Sequence, residues 1–304
     1  MKIWTGLAAL CSVALALTGC AAPASPDATG KLSVEVAFYP FQFVAERVGG
    51  DAVSVASLTA PGSEPHDLEL TPRQVAALGT ADLVVYQSGF QPAVDTAMEQ
   101  AKPARVVDTA SFLTMLTATA GPDEQAAGAG GSKDPHTWLD PTKMITIAEH
   151  VRDALSEARP EQAATFAANA SQLVANLTTL DIDVKAELTG CAITPFITSH
   201  AAFGYLAARY GLTQVGIRGL EPDVEPSAAR LAEVHQIARD NQVTTIFFEA
   251  LVSPVVSQSV AGDLGLRTDV LDPLEGITPD SRGTDYLEVM RANANSLKVS
   301  NQCS

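Results

Sequence analysis

Basic residues are few in this chain. Nineteen Lys and Arg stand against thirty-five Asp and Glu, a formal charge of −16. No Lys/Arg cluster interrupts that excess, so the footprint of a nucleic-acid binder is missing. Cations, or a basic partner surface, suit the charge. Cysteine is scarce, with four in the chain, and none has the close paired spacing of a zinc finger. No His-Glu-x-x-His or comparable compact motif of a metallohydrolase occurs. Beyond the leader, no apolar run is long enough to span a bilayer.

The leader has Lys2 followed by an apolar run over 7–17, too short for a membrane span and matching a signal-peptide core. It ends in Leu17-Thr18-Gly19-Cys20, which resembles the bacterial lipobox, where cleavage leaves Cys20 first and lipid-bearing. Residues 1–20 are therefore predicted to be a lipoprotein signal peptide and 21–30, small and Pro-rich, a flexible tether. The expected place is outside the cytoplasm, anchored by lipid to the bacterial cell membrane. Cys11 leaves with the leader and Cys20 takes the lipid. Cys191 and Cys303 remain, and outside the cytoplasm leftover cysteines usually pair.

From residue 31 the pattern alternates. Strands are expected at 31–38, 53–58, 82–86 and 105–107, with helices at 40–48, 72–78 and 91–101 between and after them. The stretch 120–134 is rich in Gly and Ala and reads as a mobile loop. A helix follows over 142–158. Residues 161–189 hold no Pro or Gly, and Phe166, Ala170, Leu173, Leu177, Leu180, Val184 and Leu188 recur at spacings of three and four. That pattern predicts one long helix, a strut between two lobes, with a bend near Asp181 as the alternative. Strands at 193–198, 213–216, 244–248 and 267–271 then alternate with helices at 202–210, 225–239, 254–263 and 283–297. The fold class is α/β: lobes 31–160 and 190–304, mostly parallel sheets, and linker helix 161–189.

His136 stands in Asp134-Pro135-His136-Thr137-Trp138-Leu139-Asp140-Pro141, between two prolines that stiffen the backbone and fix the direction of the ring. His66 follows Pro65 in a polar loop. His200 ends a strand, and so does Asp272. Ligands in open α/β sheets bind beyond the carboxyl ends of strands. His66, His136, His200 and Asp272 are therefore predicted to meet as metal ligands in the crevice between the lobes. Glu64 is a substitute oxygen donor, and Asp67, Glu69 and Asp134 are candidate partners for the second ring nitrogens. His150 and His235 fall inside helical patterns and read as surface residues. Three imidazoles and one carboxylate suit tetrahedral Zn2+ better than manganese, which takes more oxygen donors.

These stretches carry a resemblance. Glu64-Pro65-His66 with Thr71-Pro72, the Asp134–Pro141 octapeptide, Ser199-His200-Ala201-Ala202-Phe203-Gly204-Tyr205, Glu225-Pro226-Ser227 and Leu271-Asp272-Pro273-Leu274 resemble the metal-binding solute-binding lipoproteins of ABC transporters, zinc-uptake branch. The resemblance implies two lobes bridged by a rigid helix, zinc held between them, and delivery to a membrane permease and its cytoplasmic ATPase. A monomer is expected, without catalysis. Many members of that branch carry a His-rich loop before the Asp-Pro-His motif; residues 120–134 contain no histidine. Alternatives are a manganese or iron importer component, an adhesin-like surface lipoprotein, and a zinc hydrolase with Glu64 or Glu249 as base.

Overall fold

The structure, a computed structural model, describes residue 1 and residues 30–118 and 132–304. Cys20 with its leader, and most of the 120–134 stretch, lie outside these residues. Among the described residues no helix is long and apolar enough to cross a membrane.

The first sheet contains β1 (Leu32–Val36), β2 (Val53–Ser57), β3 (Leu83–Tyr86) and β4 (Val106–Asp108), in the order β2-β1-β3-β4 and parallel throughout. Helices α1 (Tyr39–Gly49), α2 (Pro72–Thr80) and α3 (Pro92–Ala101) connect them. Parallel strands need helical crossovers on their faces, so central strands are apolar on both sides. β3 obeys this, with Leu83, Val84 and Val85 fully buried. Thr71 caps α2 through a reciprocal capping box with Gln74, and Pro72 occupies the first turn.

The second sheet repeats the plan. β5 (Pro195–Thr198), β6 (Thr213–Gly216), β7 (Thr245–Phe248) and β8 (Arg267–Val270) run parallel in the order β6-β5-β7-β8. Between the two sheets come α4 (Pro141–Ala158) and α5 (Ala163–Glu187). The second sheet's helices are α6 (Gly204–Tyr210), α7 (Ala228–Asp240), α8 (Val255–Leu264) and α9 (Tyr286–Ser300). Each sheet has a switch point, between β1 and β3 and between β5 and β7, where successive connections leave in opposite directions.

Helix α5 is continuous for 25 residues, about 37 Å at 1.5 Å per residue. It is shorter than the 161–189 expected, because a 3-10 turn at Pro160–Gln162 precedes it and Gly190, at φ +65°, takes the left-handed position beyond its end. No bend occurs at Asp181, whose carboxylate accepts from Arg209 and Tyr210. The apolar stripe from Phe166 to Val184 is buried, and α5 packs against α4, α1 and α9. One core cluster consequently runs through both halves, from Phe38 and Trp138 to Phe196 and Tyr286. Two helices open later than their patterns suggest, since Ser227 caps α7 by accepting from Arg230 N–H and Asp285 caps α9 by accepting from Glu288 N–H.

A disulfide joins Cys191 to Cys303, 112 positions apart. Backbone bonds run beside it, from Ile193 N–H to Asn301 C=O and from Ser304 N–H to Thr189 C=O. Those bonds survive reduction, so Cys303→Ser is expected to fold. Its denaturant midpoint should drop, reflecting a loss of up to about 4–5 kcal/mol of unfolding free energy in the chain-entropy treatment of so long a loop. Identical midpoints for the oxidised and reduced protein would show that the crosslink contributes nothing.

Candidate metal centre

The segment bearing His136 is held from several sides. Asp134 N–H bonds to Leu116 C=O, and Tyr205 Oη donates to the Asp134 carbonyl. Gln87 donates to the Pro135 carbonyl and accepts from Thr109 and Thr137. Trp138 Nε1 donates to Pro273 C=O at 2.7 Å, and Tyr286 Oη donates to Trp138 C=O. Both of these last bonds cross to the second half of the chain. Phe38, Phe90 and Trp138 pack together beneath, with Phe90 edge-on to His66 at 4.8 Å. The floor is therefore apolar and closely packed.

On that floor three imidazoles and one carboxylate converge. His66, His136, His200 and Glu275 are all buried, and each offers one ligand atom within 4.8 Å of the others. Glu275 Oε1 lies 3.3 Å from His66 Nε2, 3.4 Å from His136 Nε2 and 3.8 Å from His200 Nε2. His136 Nε2 and His200 Nε2 are 3.4 Å apart. Four donors placed about 2.0–2.1 Å from a central ion at tetrahedral angles stand about 3.3–3.4 Å from one another. Three of these edges match that figure, the Glu275–His200 edge is longer at 3.8 Å, and all the donors lie within 4.8 Å of one another.

Each ring then meets a carboxylate at its other nitrogen. His136 Nδ1 donates to Asp134 Oδ1 at 2.8 Å, and His200 Nδ1 to Glu249 Oε1 at 2.7 Å. His66 Nδ1 faces Glu221 Oε2 at 3.4 Å. Such partners fix the tautomer, leaving Nε2 free for a metal, and raise its basicity. Gly204 allows one of these contacts, because a Cβ there would come within 2.6 Å of the Asp134 carboxylate. Burial disfavours an imidazolium at His66, but Glu221 and Glu275 outweigh it and lift the group to about 10. His136 moves the same way; burial opposes its charge, and Asp134 and Glu275 prevail. Burial would raise Glu275, yet the facing imidazoles hold its carboxyl far below the usual range.

Asp272 does not join this group, contrary to the sequence expectation. Its Oδ1 accepts from Leu274 N–H and its Oδ2 from Ser281 Oγ. A short acid at a strand end is captured by its own turn. Leu274 takes φ +60° in that turn, and Glu275 is the carboxylate that reaches the rings. Glu64 also stays outside: its Oε1 accepts from His66 N–H, and burial with the nearby Glu275 pushes its carboxyl up to about 8. Of the suggested ring partners Asp134 is in place, whereas Asp67 faces Asp223, which raises its carboxyl, and Glu69 is exposed. Glu221, Glu249 and Glu275 were missed in these roles. Glu249 directly follows β7 beside the switch point, the same signal that marked His200; for Glu275 the signal was the Asp-Pro turn before it.

Two parallel α/β sheets, with imidazoles and a carboxylate gathered beyond their strand ends, define a two-lobe binding fold with a metal-ligand cluster. The family profile described as zinc-uptake complex component A, periplasmic, matches residues 34–300, and the chain belongs to that family. It is 36% identical over 306 residues to the zinc-binding lipoprotein AdcA of Streptococcus pneumoniae R6, across 98% of this chain and 60% of that protein. It thus spans about 60% of the length of that relative. The high-affinity zinc uptake system protein ZnuA of Bacillus subtilis is 32% identical over 98% of both chains. The crystal structure of the Zn(II)-bound ZnuA-like domain of Streptococcus pneumoniae AdcA is similar at a TM-score of 0.75, with 35% identity, over 90% of this chain and 99% of that one.

Proposed function

We propose that the protein captures Zn2+ outside the cytoplasm and delivers it to an ABC permease driven by its ATPase, with no chemistry of its own. The observation that carries this reading is the buried convergence of three imidazole nitrogens and the Glu275 carboxylate, three of whose separations match those of a tetrahedral shell. Nitrogen-rich donors favour zinc over manganese. The family description, a component of zinc uptake, supports the same assignment. With four protein donors the shell has no open position for a catalytic water, and Glu249, the candidate base, is engaged by His200 and Ser199. The lobes at 31–160 and 190–304 act as the two jaws, α5 as the strut, and a lipid on Cys20 as the anchor, with the protein working as a monomer.

Purified mature protein should contain zinc and bind it more tightly than manganese; a preference for manganese would overturn the metal assignment. His136→Ala should weaken zinc binding by more than about 100-fold, beyond the loss typical of an outer-shell change. His235→Ala, on the outside of α7, should stay near wild type. Glu275→Gln should lose affinity markedly. Asp272→Asn should not, because an asparagine oxygen still accepts from Leu274 N–H. Equal losses from Glu275→Gln and Asp272→Asn would assign Asp272 a ligand role after all.

The imidazoles must be neutral to ligate, and their neighbours hold His66 and His136 protonated above the ordinary histidine range. Zinc must displace those protons, so affinity falls as pH falls, about tenfold per unit for each proton displaced. The decline should already be present between pH 8.5 and 7.5, where an unshifted histidine is neutral. Equal zinc affinity at pH 7.5 and 5.5 by competition titration would rule out imidazole ligation.

A further inference from the structure

Three carboxylates back the three imidazoles, and they are not equivalent. Asp134 and Glu249 are buried, at 5% and 1% side-chain exposure, and lie 2.8 and 2.7 Å from their rings. Glu221 is 63% exposed and stands 3.4 Å from His66 Nδ1. The contacts also differ in origin. Asp134 lies two residues from His136, and Glu249 follows β7, the strand paired with β5, which ends two residues before His200. Glu221 comes from the second half of the chain and meets a histidine of the first. Its loop, between β6 and α7, is rooted on the His200 segment: Arg218 N–H bonds to Ser199 C=O, and Ala201 N–H to Gly219 C=O. Two residues beyond that root, Glu221 reaches His66. All three rings are buried, the His66 side chain at 2% exposure and those of His136 and His200 at 0%.

We infer that Glu221 is the positioning residue of His66, and that this exposed carboxylate controls how fast the bound metal is released. The inference rests on the zinc-capture reading above. Ligands clamped by buried acids hold their rings against thermal motion. A ring steadied by one solvent-accessible carboxylate from the opposite half is the first to swing away. When the 217–227 loop lifts, His66 loses its orienting partner and a four-donor shell becomes a three-donor one. Anything that displaces this loop, such as a docking permease, would open the site at that corner.

The test is stopped-flow zinc release into excess chelator, with association measured separately. Glu221→Ala should release zinc about 10–100-fold faster, the scale of an outer-shell loss, while association changes by less than about threefold. Glu221→Gln should restore part of the retention, since its amide oxygen still accepts from Nδ1–H. Glu69→Ala removes the same charge from an exposed position without touching a ring and should match wild type. In the double variant His66→Ala with Glu221→Ala, release should be no faster than in His66→Ala alone, because Glu221 acts through that ring. Wild-type release from Glu221→Ala, an equal effect of Glu69→Ala, or additive effects in the double variant would each overturn the inference. Wild-type protein that retains no zinc would instead overturn the functional reading beneath it.

Discussion

The structure depends on a buried excess of negative charge that something cationic must balance. Glu275, Asp134 and Glu249 are all nearly inaccessible to water, and Glu221 closes the same group from outside. Isolated carboxylates in such a place would be costly, and pairing or protonation has to relieve them. Among the described residues no Lys or Arg forms an ion pair with Glu275 or Glu249; the imidazoles supply the compensation. As imidazolium they balance the acids with protons, and as neutral ligands they balance them with a divalent ion. Proton and metal therefore compete for one electrostatic role, which is why His66 and His136 are held basic rather than neutral.

Such a cluster needs a scaffold that keeps four side chains in place without filling the space between them. The two sheets do this with short parallel strands that stop at a common edge, where side chains from separate connections can converge. The rest is done by polar bonds that cross the halves. Trp138 donates to the Pro273 carbonyl and Tyr286 donates to the Trp138 carbonyl, so the His136 segment and the Glu275 loop are registered against each other. Asn293 adds to this by accepting from Asp272 N–H and donating to Asp272 C=O. The continuous core behind α5 makes the base of the cleft a packed solid.

Strand and helix alternation was readable because parallel strands buried on both faces leave apolar runs, and amphipathic helices leave a 3.6-residue period. Helix starts were less readable, because a cap at Ser227 or Asp285 is one residue among several polar candidates. The three histidines stood out by position, each beside a strand end or a proline. The carboxylate did not. Position at a strand end favoured Asp272, but a short acid there competes for the N–H groups of its own turn, and Leu274 N–H takes it. Glu275, with a longer side chain, lies past a left-handed residue whose φ no sequence pattern announces, since leucine rarely adopts it. The outer carboxylates were hidden for a related reason: Glu221 and His66 are far apart in sequence, and only the tertiary fold makes them neighbours.

A carrier faces opposed demands that a purely structural metal site does not. It must hold its ion against protons and chelators, yet let go at a membrane. Uniformly buried, short carboxylate contacts on all three rings would serve the first demand alone. Here two of the rings are locked by acids from their own half, and the third is steadied by an acid from the other half that is open to solvent. An ion held there would, on the proposed reading, be gripped firmly on one side and conditionally on the other. The conditional side is also where acids of the second half face the first, Glu221 beside His66 and Asp223 near Asp67. On the proposed reading, a movement of the loop carrying Glu221 would alter the coordination of the ion while both sheets stay folded.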